Sequence, residues 1–166
     1  MGASPNALEG VTTLYRDHAL GLIRLAVVML GDRQAAEDVV QDAFAGLYRR
    51  WHTLSDTGKA LSYVRASVLN GARTLLRQRA RRSGVVTDGV AVASAEYEVL
   101  IGEEHREVLR AIRALPHRQR EALVLRYYLE LDEEDIARSM GISRGTVKST
   151  TSRAIAALRK SLGEQS

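Results

Sequence analysis

The chain of 166 residues contains no cysteine, two prolines, one tryptophan and one phenylalanine. Without cysteine there is no disulfide scaffold, no thiol nucleophile and no zinc site built on thiolates. The four histidines, His18, His52, His105 and His117, stand far apart in sequence and show no metal-ligand spacing. Neither a metal nor another cofactor is therefore expected. Long apolar runs are missing too, since charge interrupts every apolar stretch well short of the ~18 residues that a membrane-spanning helix requires. The opening MGASPNALEG has neither the basic segment nor the apolar core of a secretory signal. A soluble, intracellular protein is expected. With proline confined to Pro5 and Pro116, and Ala, Leu, Arg and Glu dominating, the residues present are the better helix formers.

What the chain has in quantity is arginine. Of 24 basic side chains only Lys59, Lys148 and Lys160 are lysine. The planar guanidinium fork suits phosphates and base edges better than an ammonium does, although a codon bias toward arginine would produce the same count. The formal charge of +4 conceals an uneven distribution. Residues 61–82 hold six basic side chains and no acidic one, and residues 141–166 hold five against Glu164 alone. The intervening residues 83–101 hold three acids and no base. Two separate basic blocks suggest two places where nucleic acid touches the chain.

Helical periodicity organises the remainder. Apolar residues recur at helical spacing from Leu8 to Leu30, Gly31 ends the run, and Asp32 reads as the N-cap of a second helix over about 33–51. That helix sets Ala36, Val39, Val40, Ala43, Phe44, Leu47 and Tyr48 on one face and Glu37, Asp38, Gln41 and Asp42 on the other. His52 to Lys59 reads as loop, and a third helix from about Ala60 to Arg82 carries only positive charges. Residues 83–97 dissolve into small side chains and read as a flexible linker, with a hairpin at Asp88-Gly89 as the alternative. Beyond it an amphipathic helix starts near Ala95. Leu115-Pro116 forces a boundary, and helices follow over about 117–130, from Glu133 to Met140 after a cap at Asp132, and from Ser143 to about Leu162. The fold class is all-α: two small helical domains, 8–82 and 98–162, joined by a linker.

The segment from Glu133 to Ala154 has the spacing of a helix-turn-helix. Ala137 is the small residue where the two helices approach, Gly141 suits a left-handed turn, and Ile136, Met140, Ile142 and Val147 supply the packing. Ser143 caps the second helix, whose first turns expose Arg144, Thr146, Lys148 and Ser149, with Arg153 following. In such motifs the second helix enters the major groove with its N-terminal residues at base edges. On the other basic helix, Asn70 is out of place by helix propensity, because its amide competes for the backbone. That amide can read a base edge, and Arg73 and Arg77 stand one and two turns beyond it. No nucleophile–base pairing and no phosphate-cradling glycine loop appears, so an enzyme is not expected.

Three strings together resemble the extracytoplasmic-function group of the sigma-70 family of RNA polymerase sigma factors, of an actinobacterial type. GDRQAAEDVVQDAF, from Gly31 to Phe44, is similar to the region 2 helix that docks on the β′ clamp helices. YVRASVLNGARTLLRQRARR, from Tyr63 to Arg82, is similar to the helix that reads and opens the minus-10 element. LPHRQREALVLRYYLELDEEDIARSMGISRGTVKS, from Leu115 to Ser149, resembles region 4 throughout. The resemblance implies polymerase docking through Glu37, Asp38, Gln41 and Asp42. It implies capture of a melted minus-10 base by Asn70, with Arg73 and Arg77 along the backbone. It implies readout of the minus-35 duplex by Arg144, Thr146, Lys148, Ser149 and Arg153. The implied partners are core RNA polymerase, through the β′ clamp helices and the β flap, promoter DNA and an anti-sigma factor, with the protein at work in the cytoplasm on the nucleoid. The family usually has Trp at Tyr63, isoleucine at Ser67 and Arg at Thr150. Two other readings use the same residues: a stand-alone helix-turn-helix regulator with residues 1–82 as a dimerisation or sensing domain, and a helical polymerase-binding adaptor that never reads DNA.

Overall fold

The computed structural model describes residues 5–83 and 105–163, all of whose regular elements are helical. Helices α1 (Pro5–Leu30), α2 (Arg33–Arg50) and α3 (Ala60–Ser83) form the first body. Two short 3-10 turns, Trp51–Thr53 and Thr57–Lys59, occupy the expected loop between α2 and α3. The second body comprises α4 (Arg106–Arg113), α5 (His117–Leu123), α6 (Glu133–Met140) and α7 (Arg144–Gly163). Ser83, expected to open the linker, instead closes α3. The rest of the linker and the expected helix start near Ala95 lie outside the described residues.

Helix ends follow local chemistry. Gly31 takes the left-handed conformation with φ 72° and stops α1. One residue on, Asp32 accepts a hydrogen bond from the Gln34 amide at 3.0 Å and starts α2. This satisfies one of the orphan donors that every helix N-terminus carries. In the first body Val40, Phe44 and Leu47 of α2 meet Leu22, Leu25 and Met29 of α1 and Val64, Val68 and Ala72 of α3, all buried. Phe44 and Tyr15 form a T-shaped pair, ring centres 5.0 Å apart, a geometry worth about 0.5–1.5 kcal/mol beyond burial. The buried Trp51 lies so close to Gly10 that a Cβ there would overlap its indole ring.

The chain after α5 departs from the expected continuous helix. Val124–Tyr128 widens into a π turn, in which the Leu129 amide donates to the Val124 carbonyl. Glu130 then takes φ 54°, a left-handed conformation outside glycine, which costs about 1 kcal/mol. Tyr128, the last residue of the π turn, is 46% exposed.

The two bodies are packed together rather than held apart. A single apolar cluster runs through α1, α2 and α3 and on into Ala122, Val124, Leu125, Ile136 and Met140 of the second body. The main meeting is of α3 with α6, and the C-terminal end of α1 touches α5.

Candidate nucleic-acid and polymerase interfaces

The α6–α7 pair is built as the spacing requires. Gly141 sits at φ 67°. The Ile142 amide donates to the Ala137 carbonyl at 3.1 Å and the Gly141 amide to the Arg138 carbonyl, the paired bonds of a Schellman stop. Asp132 caps α6 through the Asp135 amide at 2.8 Å. Ser143 caps α7 through the Thr146 amide at 3.1 Å, and its hydroxyl meets the Thr146 hydroxyl at 2.9 Å. Val147, Thr151 and Ala154 face inward, Ala154 packing on Leu115 and Leu123. Arg144, Thr146, Lys148, Ser149 and Arg153 are all exposed, so the five residues expected to meet duplex all lie on the open surface of α7. Glu133 stands 3.8 Å from both Arg144 and Lys148. Those cations are each 67% exposed, and pairs of this kind are worth about 0–1 kcal/mol. Such a contact aims the side chains without holding them. Thr150 is half-buried beside this face.

On α2 the acidic face points outward as expected. Asp38, Gln41 and Asp42 are exposed, and Glu37 accepts a 2.9 Å bond from Arg33. Gln34 donates to Asp38 at 3.1 Å. These i,i+4 pairs hold the carboxylates near the start of the helix, where the dipole favours them. Beside this face a groove of about 670 Å³ runs between α2 and α3, with Asp38 and Asp42 on one bank and Arg79 and Arg82 on the other.

The basic helix α3 divides into three parts that the sequence presents as one. Arg77, Arg81 and Arg82 are exposed. Arg79 turns back to donate to the Leu30 carbonyl at 2.9 Å and lies 3.7 Å from Asp32, so it closes the end of α1. Arg65 and Arg73 face the second body. Burial pushes the Arg65 guanidinium below the ordinary arginine value, against the Asp135 carboxylate of α6, which raises it. Arg73 is held more firmly: its Nε and Nη2 donate to the two carboxylate oxygens of Glu121 at 2.8 and 2.7 Å. Its Nη1 donates to Asn70 Oδ1 at 2.9 Å. Asn70 itself stays exposed, but its acceptor is already engaged.

Around this pair lies a charged group that sequence reasoning passed over. Glu121 is wholly buried on α5, and Arg118 reaches both its carboxylate and the Met140 carbonyl at 3.3 Å. Arg120, also wholly buried, donates to Val28 and Met29 carbonyls at the end of α1 and to Arg113 and Leu115 carbonyls of its own body. The clue was positional: Arg120 shares a helix face with Leu123 and Val124, and Glu121 with Leu125. A charge on an apolar stripe must find a buried partner. Arg24 adds a further crossing bond, donating to the Tyr128 hydroxyl at 3.1 Å.

Comparison with known proteins agrees with this geometry. Residues 14–82 match the model "Sigma-70 region 2" and residues 105–158 match "Sigma-70, region 4". The chain is 32% identical to the RNA polymerase sigma-E factor of Streptomyces antibioticus over 90% of its own length and 82% of the relative's. It is 32% identical to the ECF RNA polymerase sigma factor SigL of Mycobacterium tuberculosis, over 98% of this chain and 94% of that one. Among solved structures it superposes on the Bartonella quintana sigma factor RpoE, crystallised in complex with the anti-sigma factor NepR. That match has a TM-score of 0.71 and 25% identity, covering 91% of this chain and 97% of the other. These matches do not favour a stand-alone regulator or an adaptor without DNA readout. The chain is an alternative sigma factor: it belongs to the sigma-70 family of RNA polymerase sigma factors, in the extracytoplasmic-function group that retains regions 2 and 4.

Proposed function

We propose the following division of labour within this sigma factor. The outward face of α7, with Arg144, Thr146, Lys148, Ser149 and Arg153, reads the minus-35 duplex, where phosphate contacts position the helix and base edges specify. Asn70, Arg73 and Arg77 of α3, with the loop around His52 to Lys59, hold the melted minus-10 strand, an extruded base in the protein's grasp and positive charge along its backbone. Glu37, Asp38, Gln41 and Asp42 of α2 dock on the β′ clamp helices, and region 4 meets the β flap. Core polymerase then supplies the chemistry, in the cytoplasm on the nucleoid. An anti-sigma factor is a further partner, as it is for the Bartonella relative.

The observation that carries this reading is the acid-free outward face of α7, set on a Schellman turn and a serine cap. The decisive experiment adds the protein to core RNA polymerase and follows run-off transcription from genomic fragments. Initiation from a discrete set of promoters is expected. Failure to initiate anywhere in a wide library overturns the reading.

A further inference from the structure

The first turn of α6 holds three acids, Glu133, Glu134 and Asp135, and the helix dipole favours acids there. Two of the three stay on their own helix: Glu134 and Asp135 lie 3.0 and 3.6 Å from Arg138. Glu133 instead crosses to α7, where its Oε2 lies 3.8 Å from both Arg144 and Lys148. Those two cations stand one helical turn apart and so share a side of α7, which lets one carboxylate serve both. The Glu133 side chain is 24% exposed against 65% for Glu134, so the neighbouring acids are not interchangeable. We propose that Glu133 is a specificity-determining residue of minus-35 readout: it makes Arg144 and Lys148 poorer partners for phosphate and leaves them good partners for base edges. This rests on α7 being the duplex-reading helix proposed above, and the test separates the two claims.

The discrimination comes from charge. Taking Arg144 or Lys148 to a phosphate brings a second anion beside the Glu133 carboxylate or pulls the cation away from it, and both weaken binding. Guanine O6 and N7 and adenine N7 are neutral acceptors, which do not repel the carboxylate, so a base edge can be met with the Glu133 contact kept. Donors suffice for this. Glu133 faces one nitrogen of the Arg144 fork, Nη2, and the ammonium of Lys148, and both groups carry further N–H donors for a base. Arg144 also borders a groove of about 560 Å³ beside Arg126 and Tyr127, so its side chain has room to turn toward DNA. Binding to random duplex is almost wholly a matter of phosphates, and Glu133 therefore weighs against it selectively. A pair this exposed is worth at most about a factor of five, so the two together amount to a bias of about tenfold.

The test uses the full chain and two duplex probes of equal length: one of random sequence, and the minus-35 duplex of a promoter recovered by run-off transcription. Glu133→Gln is expected to tighten binding of the random duplex about tenfold and of the minus-35 duplex by less than about threefold. The ratio of the two affinities then falls. Salt dependence on the random duplex should steepen by about one for each cation released to phosphate. Glu134→Gln removes the same charge one residue away and is expected to leave the ratio as it is. In a chain carrying Arg144→Ala and Lys148→Ala, adding Glu133→Gln should no longer tighten the random duplex. Glu133→Asp keeps the charge at the helix end but draws the carboxylate back by one methylene. It should shift the ratio in the same direction, and it keeps the test valid if Glu133→Gln does not fold. A ratio unchanged in Glu133→Gln, matched by Glu134→Gln, or still shifted once the two cations are gone overturns the role of Glu133. Equal binding of both duplexes by the unaltered chain overturns the reading of α7 itself.

Discussion

Lys148 and Arg153 reach outward from α7, and the nearest acid, Glu133, holds Lys148 only at 3.8 Å in the open. A DNA phosphate easily outcompetes a contact worth about 0–1 kcal/mol. Replacing both side chains by alanine should weaken binding to minus-35 duplex by about 10–100-fold and lower the salt slope by about one for each phosphate left without its cation. Affinity for core polymerase, measured by a pull-down or anisotropy titration, should not change. Equal loss of both affinities would show that α7 is needed for the fold rather than for readout. Arg73 is the contrasting case: the residue type is the same, but burial and bidentate geometry make its partner hard to displace. One arginine-rich chain thus carries cations of two kinds, told apart by accessibility and not by sequence.

Among elements, the α1–Trp51 contact inverts a general expectation. Glycine inside a helix costs about 1 kcal/mol relative to alanine, so Gly10→Ala would ordinarily stabilise α1. Here the added Cβ runs into a buried indole ring, and overpacking costs about 1–3 kcal/mol. The variant should therefore melt several degrees lower by circular dichroism; a rise in melting temperature would show that Trp51 can move aside. The helix boundaries were legible in the sequence because their causes are local. Asp32, Asp132, Ser143 and Gly141 act within four residues, and each sits where its chemistry placed it. The π turn at Val124–Tyr128 was not legible, since VLRYYL continues an ordinary helical pattern. The basic stretch of α3 was legible as charge but not as three separate tasks. Arg73 meets Glu121 and Arg79 meets Leu30 across nearly fifty residues of sequence, and periodicity along one helix carries no record of such partners.

For the whole molecule the governing fact is the seam. Buried Arg120 and Glu121, together with the apolar cluster that continues from α3 into α6, join two regions that the sequence presents as separate. This has an optical consequence. Trp51 is the chain's sole tryptophan and is buried in region 2, so tryptophan emission reports that region alone. Helical ellipticity averages over both. If the seam couples the regions, the fluorescence and ellipticity transitions should coincide in a urea titration, as a two-state unit requires. In Glu121→Gln they should separate, the fluorescence midpoint marking region 2 on its own. Coincident midpoints in that variant would mean that the apolar part of the seam alone suffices to unite the fold. A single indole ring thus makes the coupling between region 2 and region 4 measurable without any label.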